Sequence, residues 1–115
     1  MGYQVLWNDA ALELMRMVKD RRVQRRLFDL ADTLAEEPQR RGQPLYDDLT
    51  GYWSLHWSRW RVIFSIEEDE KAVHILAVGQ RSVGKPTDIY NRARRLLSLG
   101  LIESPDSPTQ DEDEK

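Results

Sequence analysis

Four side chains in this sequence could act together on a phosphodiester: Arg61, Arg81, His56 and Tyr90. Guanidinium forks can neutralise the phosphate, and an imidazole or a phenol beside them can move a proton. Each also has a plainer role, since strand-end arginines are commonly solvated and a first-turn tyrosine commonly packs. Other chemistries find less support. His56 and His74 are the only histidines, and neither carries His-x-x-x-His spacing or a paired carboxylate, so no zinc site is expected. His74, among Val73, Ile75 and Leu76, reads as a hydrogen-bonded structural residue. There is no Gly-rich phosphate loop and no nucleophile elbow. The absence of cysteine excludes disulfides and thiolate ligands.

The stretch from Gly51 to Arg81 must position these groups. Its segments Gly51–Trp57, Trp60–Ile66 and Ala72–Arg81 are rich in β-branched and aromatic residues and are split by polar turns, which predicts an antiparallel meander. A two-residue Ser58-Arg59 loop would set Trp57 opposite Trp60, Leu55 opposite Val62 and Trp53 opposite Phe64. Period-two alternation then gathers these six into one apolar slab. The other side places His56 across from Arg61. Ser-Arg is a poor choice for such a loop, which prefers residues that accept positive φ.

Before the meander, Tyr3–Trp7 predicts a short strand, with Asn8 or Asp9 as helix cap. Between Ala10 and Glu37, Leu12, Met15, Val18, Val23, Leu27, Leu30, Ala31 and Leu34 recur near a helical period. The cluster Lys19–Arg22 reads as a break between two helices, with one long helix as the alternative, and Met15, Leu12, Leu27, Leu30 and Leu34 are expected to cover the slab. The many arginines here read as a solvated mixed-charge face or as a contact for RNA or an acidic protein. Pro38 ends the segment, Gln39–Thr50 reads as a loop, and so does Ser82–Asp88. Thr87 or Asp88 then caps a helix running to about Ser98 and stopped by Gly100.

Composition suits one soluble domain, residues 1–102, with an acidic tail, 103–115, expected to be disordered. The net charge is −3, but the tail holds six of the acids and one base, which leaves 16 Lys+Arg against 14 Asp+Glu in the body. No apolar run approaches the roughly 18 residues that cross a bilayer, so no membrane partner is expected. Neither an n-region nor an h-region opens the chain, and a cytoplasmic location follows as the expectation.

The ordered series Pro44-Leu45, Leu49-Thr50-Gly51-Tyr52-Trp53-Ser54-Leu55, Trp60-Arg61-Val62-Ile63-Phe64, Ile75-Leu76-Ala77-Val78-Gly79-Gln80-Arg81 and Ile89-Tyr90 resembles the RelE/ParE toxin superfamily over residues 3–98. The resemblance implies an α+β fold: a small twisted antiparallel sheet, an N-terminal helical hairpin packed on one face, a functional opposite face and a C-terminal helix. RelE-like members are ribosome-dependent endoribonucleases that cut mRNA and are silenced by a cognate antitoxin; ParE-like members poison DNA gyrase. A non-catalytic member that binds only antitoxin and operator DNA is a third possibility.

Carried over by position, the resemblance implies catalytic roles for Arg61, Arg81 and Tyr90. A neutral imidazole suits a base near pH 7 whereas a tyrosine is better as an acid, so His56 is expected as the base, and Arg59 and Lys85 are expected to contact the RNA. No metal and no small-molecule cofactor is needed. The chain departs from the family in having Tyr52 and Ser54 where several RelE-type nucleases carry lysines, and His56 where an arginine is common. Ile89, Ala93, Leu96 and Leu97 form an apolar stripe that could receive an acidic antitoxin helix, with Arg92, Arg94 or Arg95 pairing it, or could complete the chain's own core.

Overall fold

The computed structural model describes residues 2–102, so the acidic tail lies outside the described residues. Strand β1 (Gln4–Trp7) leads into α1 (Asp9–Arg16), whose first turn is capped by Asn8 accepting from the Ala11 N–H at 2.8 Å. Helix α2 (Arg21–Asp32) begins at Asp20, which accepts from the Arg22 N–H at 2.8 Å. The predicted break between them is real. The Met15 and Val18 carbonyls at the break accept from the Gln24 side-chain amide at 2.8 and 3.0 Å.

The segment expected as a loop after Pro38 is more ordered than its composition suggests. Glu37 turns the chain at φ 52, and Pro38 opens the short helix α3 (Pro38–Arg41). Proline ends one helix and begins the next, because the first helical position needs no N–H. Strand β2 (Gln43–Pro44) and a 3-10 turn (Asp47–Leu49) follow.

The meander is β3 (Trp53–Trp57), β4 (Trp60–Glu67) and β5 (Ala72–Gln80), and α4 (Ile89–Ser98) follows it. The hairpin register is as predicted: Trp57 faces Trp60, His56 faces Arg61, Leu55 faces Val62 and Trp53 faces Phe64. Ser58 accepts φ 55 to close the tight loop. The sheet runs β1-β5-β4-β3-β2 and is mixed, not wholly antiparallel, because β1 lies parallel to β5 with Val5 beside Val73 and Trp7 beside Ile75. A helical hairpin between β1 and the meander returns the chain to the same end of the sheet, which allows this parallel pairing.

Two cores result. On one face Val62, Phe64, Val73, Ile75 and Val78 pack with Met15, Val18, Leu27, Ala31 and Leu34 of the hairpin. Trp53, Leu55, Trp57 and Trp60 are only half-buried there, and Leu12 and Leu30, expected in this core, are half-buried outside it. On the other face Tyr52, Ile63, Leu76 and Ala77 meet Ile89 and Ala93 of α4. Gly100 (φ 74) ends α4: its N–H reaches the Leu97 carbonyl and that of Leu101 reaches Leu96, a Schellman closure.

Phe64 is fully buried, and a Cβ placed on Gly42 would come within 2.5 Å of its ring. Phe64→Ala is therefore expected to cost about 3–5 kcal/mol. Gly42→Ala, an overpacking change, should cost about 1–3 kcal/mol. Urea denaturation of the two variants would check both, and a Gly42→Ala midpoint equal to wild type would contradict this packing.

Candidate functional site

Alternation along β3 puts Ser54 and His56 on the α4 side of the sheet, and α4 brings Tyr90 over them. The Tyr90 hydroxyl lies 3.1 Å from Ser54 Oγ and 3.5 Å from His56 Nε2. Ser54 is fully buried and His56 is exposed, so the phenol links an interior hydroxyl to an accessible imidazole. The ordinary His pKa of 6.5 is lowered at His56, first by the ring's partial burial and then by the Arg61 guanidinium across the ladder. The imidazole is neutral at pH 7 and able to accept a proton.

Arg81 leaves the end of β5. Its N–H is held by the Arg59 carbonyl at 2.7 Å, tying this exit to the β3–β4 turn. Its guanidinium stacks over the Tyr90 ring at 4.7 Å, and Nη1 donates to Asp88 Oδ2 at 2.6 Å. Asp88 is buried, and also receives the Ser82 N–H at 2.5 Å and the Tyr90 N–H at 3.2 Å. Burial pushes the Asp88 carboxyl up. The hydrogen bond from Arg81, the Ser82 N–H, the Arg81 charge and the Tyr90 N–H outweigh it and hold the carboxyl below its ordinary value.

Arg61 is folded back on its own turn, with Nη1 donating to the Ser58 and Trp60 carbonyls at 2.9 Å each. Its Nε is buried with no hydrogen-bond partner among the described residues. Arg59 is exposed on the turn, and Lys85 on the loop between β5 and α4. The structure thus brings His56, Tyr90 and Arg81 together, with Arg61 across the ladder from His56.

His74 bonds Glu67 at 3.1 Å on the exposed part of β5, a structural contact remote from this cluster. No group of three or more His, Cys, Asp or Glu able to hold a metal ion occurs among the described residues. None of the described helices is long and apolar enough to cross a membrane.

Sequence reasoning missed two members of the cluster. Ser54 shares the parity of His56, so alternation alone could have flagged it. Asp88 was read only as a helix cap, and nothing local says that the same carboxylate reaches back to Arg81. The α4 stripe is divided: Ile89 and Ala93 are fully buried in the chain's own core, while Leu96 and Leu97 are half-buried. Arg94 already pairs with Asp48 at 2.9 Å.

A helical hairpin against a five-stranded sheet, with a histidine, a tyrosine and arginines gathered at the opposite face, defines a small α+β toxin fold. The family model for the ParE toxin of type II toxin–antitoxin systems matches residues 5–83, more than half of the chain. The chain belongs to this family, and is a type II toxin–antitoxin toxin of the RelE/ParE superfamily. The match stops before α4, so Tyr90 lies outside it.

Among solved structures, the RelBE2 toxin–antitoxin complex from Mycobacterium tuberculosis is 27% identical with a TM-score of 0.66, the alignment covering 70% of this chain and 93% of that one. The archaeal RelE–RelB complex from Pyrococcus horikoshii is 22% identical, TM-score 0.58, covering 73% and 100%. The isolated E. coli RelE toxin is 17% identical, TM-score 0.58, covering 83% and 99%, and shares the fold. No curated protein matches the chain.

A carboxylate with a depressed pKa stabilises the fold above its unfolded value of 3.8, and that stability is lost as pH falls through the lower folded value. Asp88→Asn should therefore lower the melting temperature clearly at pH 6, and the gap to wild type should shrink as pH falls below 3.8. A gap independent of pH between 6 and 2.5 would show that the Asp88 charge contributes nothing.

Proposed function

We propose that this toxin is a metal-independent endoribonuclease of the RelE kind, cutting ribosome-bound mRNA and silenced by a cognate antitoxin. The observation that carries the reading is the Tyr90 hydroxyl set against the neutral His56 ring with Arg81 stacked on the tyrosine. In this reading His56 takes the proton of a ribose 2′-OH as that oxygen attacks the adjacent phosphorus. The bond to the 5′-oxygen breaks, Tyr90 returns a proton to the leaving oxygen, and the products are a 2′,3′-cyclic phosphate and a 5′-OH. Arg81 and Arg61 balance the charge that builds on the phosphoryl oxygens. Arg61 is half-buried beside His56, and Arg59 and Lys85 are exposed where a phosphate chain could pass.

The antitoxin is proposed from the relatives from M. tuberculosis and P. horikoshii, which were solved as toxin–antitoxin complexes. Half-buried Leu96 and Leu97 with Arg92 are the part of α4 available to it while the helix is docked; Ile89 and Ala93 become available only if the helix leaves the sheet.

A second reading, inhibition of DNA gyrase, is favoured by the match to the ParE family model and by the internal partners that Arg61 and Arg81 already have. Purified toxin added to mRNA-programmed ribosomes, and separately to a gyrase supercoiling assay, distinguishes the two. Cleavage is expected, with His56→Ala and Arg81→Ala each slowing it about a hundredfold. Intact mRNA together with blocked supercoiling would overturn the nuclease reading.

A further inference from the structure

The buried carboxylate of Asp88 has a role that its helix-capping position does not require. One oxygen, Oδ1, takes the Ser82 N–H at the start of the loop. The other, Oδ2, takes both the Tyr90 N–H at 3.2 Å and Arg81 Nη1 at 2.6 Å. A cap alone needs only an early helical N–H, which serine, threonine or asparagine satisfies equally well. The bond to Arg81 is additional, and it is made by a side chain only 2% exposed to one 35% exposed.

A guanidinium has five N–H donors in a rigid plane. Spending one donor, Nη1, on a fixed carboxylate restricts where the remaining donors point, and here the guanidinium lies over the Tyr90 ring, 4.7 Å from its centre. The same residue fixes the backbone of Tyr90, whose hydroxyl must lie between Ser54 and His56. One carboxylate therefore orients two groups contributed by different elements, the end of β5 and the first turn of α4.

We infer that Asp88 is the positioning residue of this site, holding the Arg81 guanidinium over Tyr90 and delivering the tyrosine hydroxyl to His56. Its catalytic consequence rests on the nuclease reading above; its geometric consequence does not. Asp88 also neutralises part of the Arg81 charge, so removing it leaves a stronger but undirected cation. Binding of a polyanion is then kept or tightened while the chemical step is lost. A residue that merely supports the fold would not separate the two in this way.

The test uses Asp88→Ser, which keeps a helix-capping oxygen and loses the Arg81 anchor, with Asp88→Asn as a second variant should the serine protein not fold. Single-turnover cleavage on programmed ribosomes is expected to fall at least tenfold at saturation, with the half-saturating ribosome concentration unchanged or lower. In an Arg81→Ala background the same substitution should change the rate less than twofold, because serine keeps the cap on the Tyr90 N–H and the contact it loses acts through Arg81. Independently of any cleavage, the His56 ring resonance should shift in Asp88→Ser while that of His74, bound to Glu67, stays in place as an internal control.

An unchanged rate with an unchanged His56 resonance overturns the inference, and so does a loss that persists in full without Arg81. Wild-type protein that leaves mRNA intact, yet shows the His56 shift on substitution, would overturn the nuclease reading and leave the positioning role standing.

Discussion

Strand β5 is buried on both faces, and the rest of the structure depends on that constraint. From Ala72 to Val78 only His74 has appreciable solvent contact. A regular strand offers alternate side chains to alternate faces, so a core on each side must be served by opposite parities. Here Val73, Ile75 and Val78 all face the helical hairpin, while Leu76 and Ala77 face α4. That sequence of faces is impossible without a break in register. The break is a bulge: Ile63 pairs with Ala77 but Phe64 pairs with Ile75, leaving Leu76 as the extra residue. The inserted residue lets one strand fill two cores whose spacings along it differ.

The site inherits its position from this strand. After the bulge, Gly79 faces the α4 side opposite Arg61, and a Cβ there would come 3.0 Å from Ile89 Cδ1. The missing side chain lets the first turn of α4 close on the sheet, and that approach carries Tyr90 to Ser54 and His56. Arg81 comes two residues later, where the strand ends and its guanidinium can reach the Asp88 cap. Packing precision in the second core and geometry in the site are thus one requirement, because Ile89 and Tyr90 are neighbours in the same helical turn. Apart from the Arg61 Nε, the polar groups described at the site are held by a carboxylate, a hydroxyl and backbone carbonyls.

Much of this was legible from sequence, and the reasons differ by element. The β3–β4 register followed from alternation and one short loop, because a slip of one residue would have turned Trp53, Leu55, Val62 and Phe64 outward. The break between α1 and α2 and the end of α4 at Gly100 followed from local cap chemistry. What was not legible was long-range. Nothing in Gln4–Trp7 says that it pairs in parallel with β5, and the bulge at Leu76 lies inside an unbroken apolar run where either parity looks equally good. The order in residues 38–49 was hidden because Pro38, Gly42 and Pro44 read as breakers, although proline starts α3 and Gly42 leaves room for the Phe64 ring. In the site, His56 opposite Arg61 was visible along the hairpin. The bond between Arg81 and Asp88 depends on how the intervening loop folds, and composition carries no record of that.

The division of the α4 stripe constrains how any partner helix could act on this domain. Full burial of a side chain such as Ile89 contributes about 1.5–3 kcal/mol, and a side-chain cap such as Asp88 about 1 kcal/mol. A partner that removed α4 would also expose Ile63, Leu76 and Ala77 on the sheet. Even so, a nanomolar complex is worth about 12 kcal/mol, and an incoming amphipathic helix laid on the same sheet face would cover much of what α4 leaves. Displacement is therefore within reach energetically, and it would take the candidate site apart, since Tyr90 leaves with the helix and Arg81 loses both its stacking surface and its carboxylate. Binding at Leu96, Leu97 and Arg92 alone would leave the Tyr90–His56 contact in place and could act only by blocking access. Whether the tyrosine stays against His56 in a complex is thus the structural feature that separates dismantling of the site from obstruction of it.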